Sequence, residues 1–256
     1  MVDALASGAS VLMDVEVRVL FWAPLRPSYD SVYTADVKAM LLPSPHPRYS
    51  GVMTNHLYIS DLPDGLDLGP SVAIDCETMG LHPKRDRLCV VQLSNGDGHA
   101  HMVQIKKGQT EAPNLCALLE NPEVLKIFHY GRFDIAAMQN AFGAMTAPVY
   151  CTKIASRLVR TYTDRHGLKN LLHELIGVDI SKHQQSSDWG APKLTNAQLD
   201  YAASDVLYLH RLREALNKRL IREDRMEAAQ ACFDFLPMRA NLDLMGWPDT
   251  DIFAHS

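Results

Sequence analysis

The sequence lacks any run of ~18 to 20 uncharged apolar residues, the length a helix needs to cross a bilayer. Its most apolar early stretch, Val17 to Leu25, is interrupted by Arg18 and Pro24. It shows no secretory leader either, because Met1 to Ser10 carries only Asp3 where a leader places positive charge. Both absences predict a soluble, cytoplasmic protein. Cysteine is sparse: Cys76, Cys89, Cys116, Cys151 and Cys232 are odd in number and widely spaced, with no C-x-x-C. A disulfide framework and a structural zinc site are therefore not expected. An excess of positive charge is also missing. Twenty-five Lys and Arg stand against 30 Asp and Glu, a net charge of −5, so no global field gathers long nucleic acid. Any polyanion has to be held by a local patch or by bound metal. What the sequence has is apolar material, 47% of 256 residues, enough for one large core or two small ones.

Residues 1–52 differ in texture from the rest. They hold Pro24, Pro27, Pro43, Pro45 and Pro47 and little helical periodicity, and read as an N-terminal extension, poorly ordered or not native, with Met53 as an alternative start. Beyond it, short apolar runs alternate with amphipathic segments. Ser71 to Asp75 reads as a strand buried on both faces. Leu88 to Leu93 and His101 to Ile105, separated by the Gly96-Asp97-Gly98 turn, extend it into an antiparallel meander. Asn114 to Leu119 is helical, Leu125 to Phe128 a strand, Phe133 to Phe142 a helix, Val149 to Cys151 a strand, and Lys153 to Thr161 and Leu168 to Leu175 helices. Thr195 N-caps one long helix running towards Arg222. Strands followed by helices around a mixed sheet make an α/β or α+β domain over residues 53–222. The segment 223–256 is rich in apolar residues, among them Phe233, Phe235, Leu236, Trp247 and Phe253, and reads as a tail that packs on its own domain or, by preference, on another subunit.

Asp75 and Glu77 stand two apart at a strand end, so their carboxylates share a face. Burying two anions side by side is costly unless cations neutralise them. Asp134 falls in the first turn of a helix, where stabilisation by the helix dipole is the plain alternative. Tyr201 and Asp205 lie four apart on one helical face. Taken singly, each has an ordinary structural explanation. Together, four carboxylates with a tyrosine one turn away suit two divalent ions about 4 Å apart, and all-oxygen ligands favour Mg²⁺ or Mn²⁺ over zinc.

Three motifs, Ile74-Asp75-Cys76-Glu77-Thr78, His129-Tyr130-Gly131-Arg132-Phe133-Asp134 and Tyr201-Ala202-Ala203-Ser204-Asp205, resemble those of the DEDDy 3′-5′ exonucleases, the ribonuclease D group. The intervening Asp164-Arg165-His166-Gly167-Leu168 and the stretch from Lys182 to Trp189 also resemble that group, in the order it requires. Leu81 to Leu93, Arg160 to His166 and Phe235 to Asp243 further resemble its compact nanoRNase C branch. The resemblance implies an α/β fold, a ribonuclease H-like (DnaQ-like exonuclease) mixed sheet flanked by helices. It implies catalytic residues Asp75, Glu77, Asp134, Tyr201 and Asp205, of which the four acids bind two Mg²⁺ or Mn²⁺ ions and Tyr201 orients the attacking water. It also implies a short RNA substrate, preferentially dinucleotides, with DNA as an alternative, and a ring-like homo-oligomer.

Substrate contacts are assigned to Thr78, Leu81, His129, Tyr130, Arg165, His166, Lys182, Gln184, Gln185 and Ser187. Lys182, Gln184, Gln185 and Ser187 are a polar cluster that either takes a terminal 5′ phosphate or braces the loop before Trp189; His129 and Tyr130 either contact base or ribose or pack in the core; and Leu81 is either a wedge between bases or a loop anchor. Between Cys151 and His173, Lys153, Arg157, Arg160, Arg165 and Lys169 face only Asp164; they form either a solvated helix face or a phosphate contact. Two rival functions stand beside the dinucleotidase: a broader 3′-5′ exonuclease on DNA or longer RNA ends, and a catalytically silent nucleic-acid-binding assembly subunit.

Overall fold

The computed structural model describes residues 54–181 and 183–255. The expected extension over 1–52 and Lys182 lie outside the described residues.

Among the described residues the strands are β1 (Thr54–Ile59), β2 (Ser71–Thr78), β3 (Leu88–Ser94), β4 (His99–Gln104), β5 (Leu125–Phe128) and β6 (Val149–Cys151). They join in one sheet of order β1-β4-β3-β2-β5-β6. The expected meander is present, with β3 antiparallel to both β2 and β4. β5 and β6 extend the sheet in parallel beyond β2, which makes it mixed. Every residue of β3, Leu-Cys-Val-Val-Gln-Leu-Ser, is buried, as a strand covered on both faces has to be. β1 has no counterpart in the sequence reading. It pairs in parallel with β4 at the sheet edge, and its Thr-Asn-His-Leu-Tyr-Ile sequence offers too little apolar alternation to signal a strand without that partner.

The helices are α1 (Pro113–Glu120), α2 (Arg132–Phe142), α3 (Thr152–Val159), α4 (Leu168–Ile176), α5 (Asn196–Val206), α6 (Leu209–Arg222) and α7 (Met226–Met245). The helix expected to run unbroken from Thr195 to Arg222 is two helices. Leu207 still has helical dihedrals, but Tyr208 sits at φ −109°, ψ −1°, and the chain turns there without glycine or proline. The turn lets α5 lie on β2, β3 and β4 while α6 packs on α3 and α4. Continuous apolar spacing across 206–212 hides it, because both helices present an apolar stripe to the interior.

The segment expected to be a tail holds a 20-residue helix, α7. It packs on α2, α3, α6 and β6. Phe233 is buried, its ring 4.5 Å from that of Tyr150; a side chain of this kind gains about 1.5–3 kcal/mol from burial. Arg132 on α2 pairs with Asp243 on α7 at 2.6 Å, and Arg239 reaches the same carboxylate at 2.7 Å. Beyond this packed face, Phe235, Met238, Met245, Trp247, Ile252 and Phe253 stay exposed. No helix among the described residues is long and apolar enough to cross a membrane.

Candidate active site

β2 carries Asp75 and Glu77 to the end of the sheet. A register irregularity between Glu77 and Thr78 falls just before the last pair of its ladder with β3, Thr78 and Leu88, and alternation aims both carboxylates the same way. α2 starts after a tight connection from β5: Tyr130 takes a left-handed φ of +68°. A Cβ on the next residue, Gly131, would lie 2.6 Å from Cβ of Phe128. The helix is thereby seated against the strand end, and Asp134 in its first turn is buried. α5 supplies Tyr201 and Asp205 from the sheet face. Its start is fixed by a capping box in which Thr195 and Gln198 satisfy each other's backbone N–H groups.

These elements meet in one pocket of about 600 Å³ whose wall includes Asp75, Glu77, Asp134, Tyr201 and Asp205. Oxygens of Asp75, Glu77 and Asp205 all lie within 4.8 Å of one another, close enough to share a cation. Asp134 faces the same space while its Oδ1 accepts from the backbone N–H of Cys76 at 3.2 Å and from its thiol at 3.1 Å. Asp75 Oδ2 accepts from Gln92 Nε2 at 2.6 Å.

Electrostatically the site is under load. Burial pushes the Asp75 carboxyl well up, and the charges of Asp134, Asp205 and Glu77 push it further, against the Gln92 hydrogen bond. Glu77 is raised to about 9 by burial and then by Asp205 and Asp134. Asp134 is raised to about 7 by burial, with the two Cys76 bonds pulling the other way. Burial, followed by the charges of Asp205, Glu77 and Asp75, raises the Tyr201 phenol as well, so Tyr201 remains protonated at neutral pH. The all-oxygen donor set fits a hard divalent cation, and the mutual repulsion of these acids is what such a cation relieves.

The remaining sequence assignments divide. Thr78, Leu81, His129, Tyr130, Gln185 and Ser187 line the pocket. The Thr78 hydroxyl donates to the Gly80 carbonyl and holds the turn from which Leu81, 90% exposed, projects at the rim. His129 Nδ1 is 2.9 Å from the Thr152 hydroxyl, and Lys153 Nζ lies 4.0 Å from the centre of the Tyr130 ring. Arg165, His166 and Gln184 are not part of the pocket wall. His166 Nδ1 contacts the Ser156 hydroxyl at 2.9 Å, and the Arg165 carbonyl accepts from Arg160 at 2.6 Å. Of the five cations between Cys151 and His173, Lys153 and Lys169 reach the pocket. Arg160 is fully buried and paired with Glu174, so it braces the 160–167 loop and contacts no phosphate. Two wall or support residues escaped sequence reasoning. Gln92 was visible as the one amide in an apolar strand, but nothing local tied it to Asp75; Trp189 is buried in the pocket wall beside Tyr201.

A family model described as 3′-5′ exonuclease matches residues 58–221. Ribonuclease D of Acidiphilium cryptum is 38% identical over 169 residues, 66% of this chain and 43% of that protein, so the chain spans less than half the length of that curated relative. Among solved structures, Brucella melitensis NrnC with bound Mg²⁺ is 58% identical with a TM-score of 0.77, and the same protein bound to pGG is 59% identical with a TM-score of 0.78. Each similarity covers 80% of this chain and 100% of the other. Sheet order, clustered acids and matched family together define a 3′-5′ exonuclease of ribonuclease H-like fold. Within that class the chain belongs to the ribonuclease D-like DEDDy family, in its nanoRNase C branch.

Proposed function

We propose that the protein is a metal-dependent 3′-5′ exoribonuclease that cleaves short RNA, dinucleotides by preference, to nucleoside 5′-monophosphates. The observation that carries this reading is the similarity, over the whole of its length, to an NrnC structure bound to pGG. A pocket of about 600 Å³ supports it, since that volume lies within the roughly 300–1,000 Å³ of sites that enclose a small ligand.

In this reading Asp75, Glu77, Asp134 and Asp205 hold two divalent cations, Mg²⁺ or Mn²⁺. Such ions, when bound, supply activation of water at neutral pH and neutralisation of charge on the departing 3′ oxygen. The remaining work falls to side chains. Tyr201, protonated and one helical turn from Asp205, orients the attacking water. A phenol raised this far above neutrality is a poor proton acceptor. Gln92 holds one oxygen of Asp75 and Cys76 one oxygen of Asp134, which fixes how the remaining oxygens face the pocket. Leu81 separates the bases, His129 and Tyr130 contact base or ribose, Gln185 and Ser187 take the 5′ phosphate, and Lys153 and Lys169 supply the local positive charge. The exposed apolar residues of α7 and the segment after it are assigned to contacts in a ring-like homo-oligomer.

A labelled dinucleotide run against a twenty-mer, with Mg²⁺ and with chelator, tests the substrate. The dinucleotide should be cleared in Mg²⁺ and stay intact in chelator, and the twenty-mer should stall. Equal clearance of a twenty-mer of RNA or DNA would instead support the broader exonuclease. Tyr201→Phe separates orientation from metal binding: kcat should fall by about a hundredfold or more with KM unchanged in steady-state assays.

A further inference from the structure

The loop before α5 supplies Gln185, Ser186, Ser187 and Trp189 to the pocket, yet it contains no regular secondary structure. Buried Trp189 anchors it by packing, but among the described residues the hydrogen bonds that tie 184–189 to the rest of the molecule come from one side chain. Gln198, in the first turn of α5, is 5% exposed. Its Oε1 accepts from the backbone N–H of Thr195 at 2.9 Å and from the Thr195 hydroxyl at 3.0 Å, completing the helix cap. Its Nε2 turns the other way and donates to the Ser187 hydroxyl at 3.2 Å and to the Asp188 carbonyl at 3.0 Å. Three residues further along the same helix, Tyr201 stands with its ring centre 5.9 Å from that of Trp189. One amide therefore joins the element that carries Tyr201 and Asp205 to the loop that carries Gln185 and Ser187. Arg87 and Gln104 fix only the far end of that loop, through the carbonyls of Gly190 and Ala191.

We propose that Gln198 is a positioning residue for substrate binding: it holds the 184–189 loop against α5 so that Gln185 and Ser187 face the substrate phosphate before binding. This rests on the dinucleotidase reading and adds to it the group that pre-organises the phosphate end of the site. A helix cap alone requires only the Oε1 half of the side chain. The two donor bonds are surplus to capping, and both end on the loop. Ordering an exposed loop at the moment of binding costs affinity, so a loop already held lowers KM and leaves the chemical step alone.

The test compares Gln198→Met with Thr195→Ala in the full chain, by dinucleotide kinetics in Mg²⁺ and by thermal unfolding. Both variants loosen the cap, but only Gln198→Met removes the loop bonds. T195A should lower Tm by about 2–4 °C with KM unchanged. Q198M should raise KM by about tenfold with kcat within about threefold, a loss of similar size in Tm, and faster limited proteolysis at 183–189. Equal KM in both variants, a loss of kcat with KM unchanged, or a Q198M protein too unstable to assay would assign Gln198 to fold maintenance alone and overturn the proposal. Failure of the wild-type protein to hydrolyse the dinucleotide would instead remove the functional reading beneath it.

Discussion

Asp134→Asn should lower kcat on a short RNA by about a thousandfold or more, the loss expected when several kcal/mol of charge stabilisation is removed from a metal-assisted displacement. The same variant should unfold at a higher temperature than the wild type in chelator at pH 8. The substitution is close to isosteric, and the amide oxygen can still accept the Cys76 N–H and thiol that now bind Oδ1. What disappears is a buried charge whose pKa is raised to about 7 and which in turn raises Asp75 and Glu77. Activity and metal-free stability thus move in opposite directions, as expected where a site is built at the expense of the fold. Activity within tenfold of wild type would refute the assignment of Asp134 to the metal site, and a lower Tm in chelator would refute the account of its charge.

The second large effect lies in the pH dependence of the metal-free protein. Asp75, Glu77 and Asp134 all have folded-state pKa values above their unfolded ones, Glu77 at about 9 and Asp134 at about 7. Between the unfolded values near 4 and these folded values the native state binds more protons than the unfolded chain, so stability falls as pH rises. In chelator, Tm should therefore drop between pH 5 and pH 9, by an amount on the order of 10 °C. Saturating Mg²⁺ should remove most of that slope, because a ligand that binds only the folded state stabilises it, and deprotonated carboxylates bind it best. Differential scanning calorimetry at a series of pH values, with and without Mg²⁺, measures both. A flat or rising Tm in chelator would mean that the carboxylates carry compensating partners within the fold.

The parts of the site that the sequence made legible are those where chemistry and local pattern coincide. Asp75 and Glu77 sit on a strand whose apolar run is unmistakable, and Tyr201 and Asp205 are one helical turn apart; each pair can be placed without knowing the fold. Asp134 was legible because a strand, a tight turn and a helix start follow one another within ten residues. What escaped depends on contacts made across the chain. β1 is a strand only because β4 receives it in parallel. The bend at Tyr208 exists because α5 and α6 answer to different neighbours. Arg160 resembled its basic neighbours until its partner Glu174 was seen on α4, and Gln92 acquires meaning only opposite Asp75 in the β2 and β3 register. The composition of the segment after Arg222 reports apolarity but not which face of α7 turns inward.

The acids of the pocket come from β2, from α2 and from α5, the last of these far along the chain and flush against the sheet. A polypeptide emerging from the ribosome holds the first pair long before it has the last member, and domains of this size fold as units. Until α5 has been synthesised and docked, the unfinished chain has no complete cage for a cation. On the proposed function, hydrolytic power therefore arrives only once α5 has been made and docked.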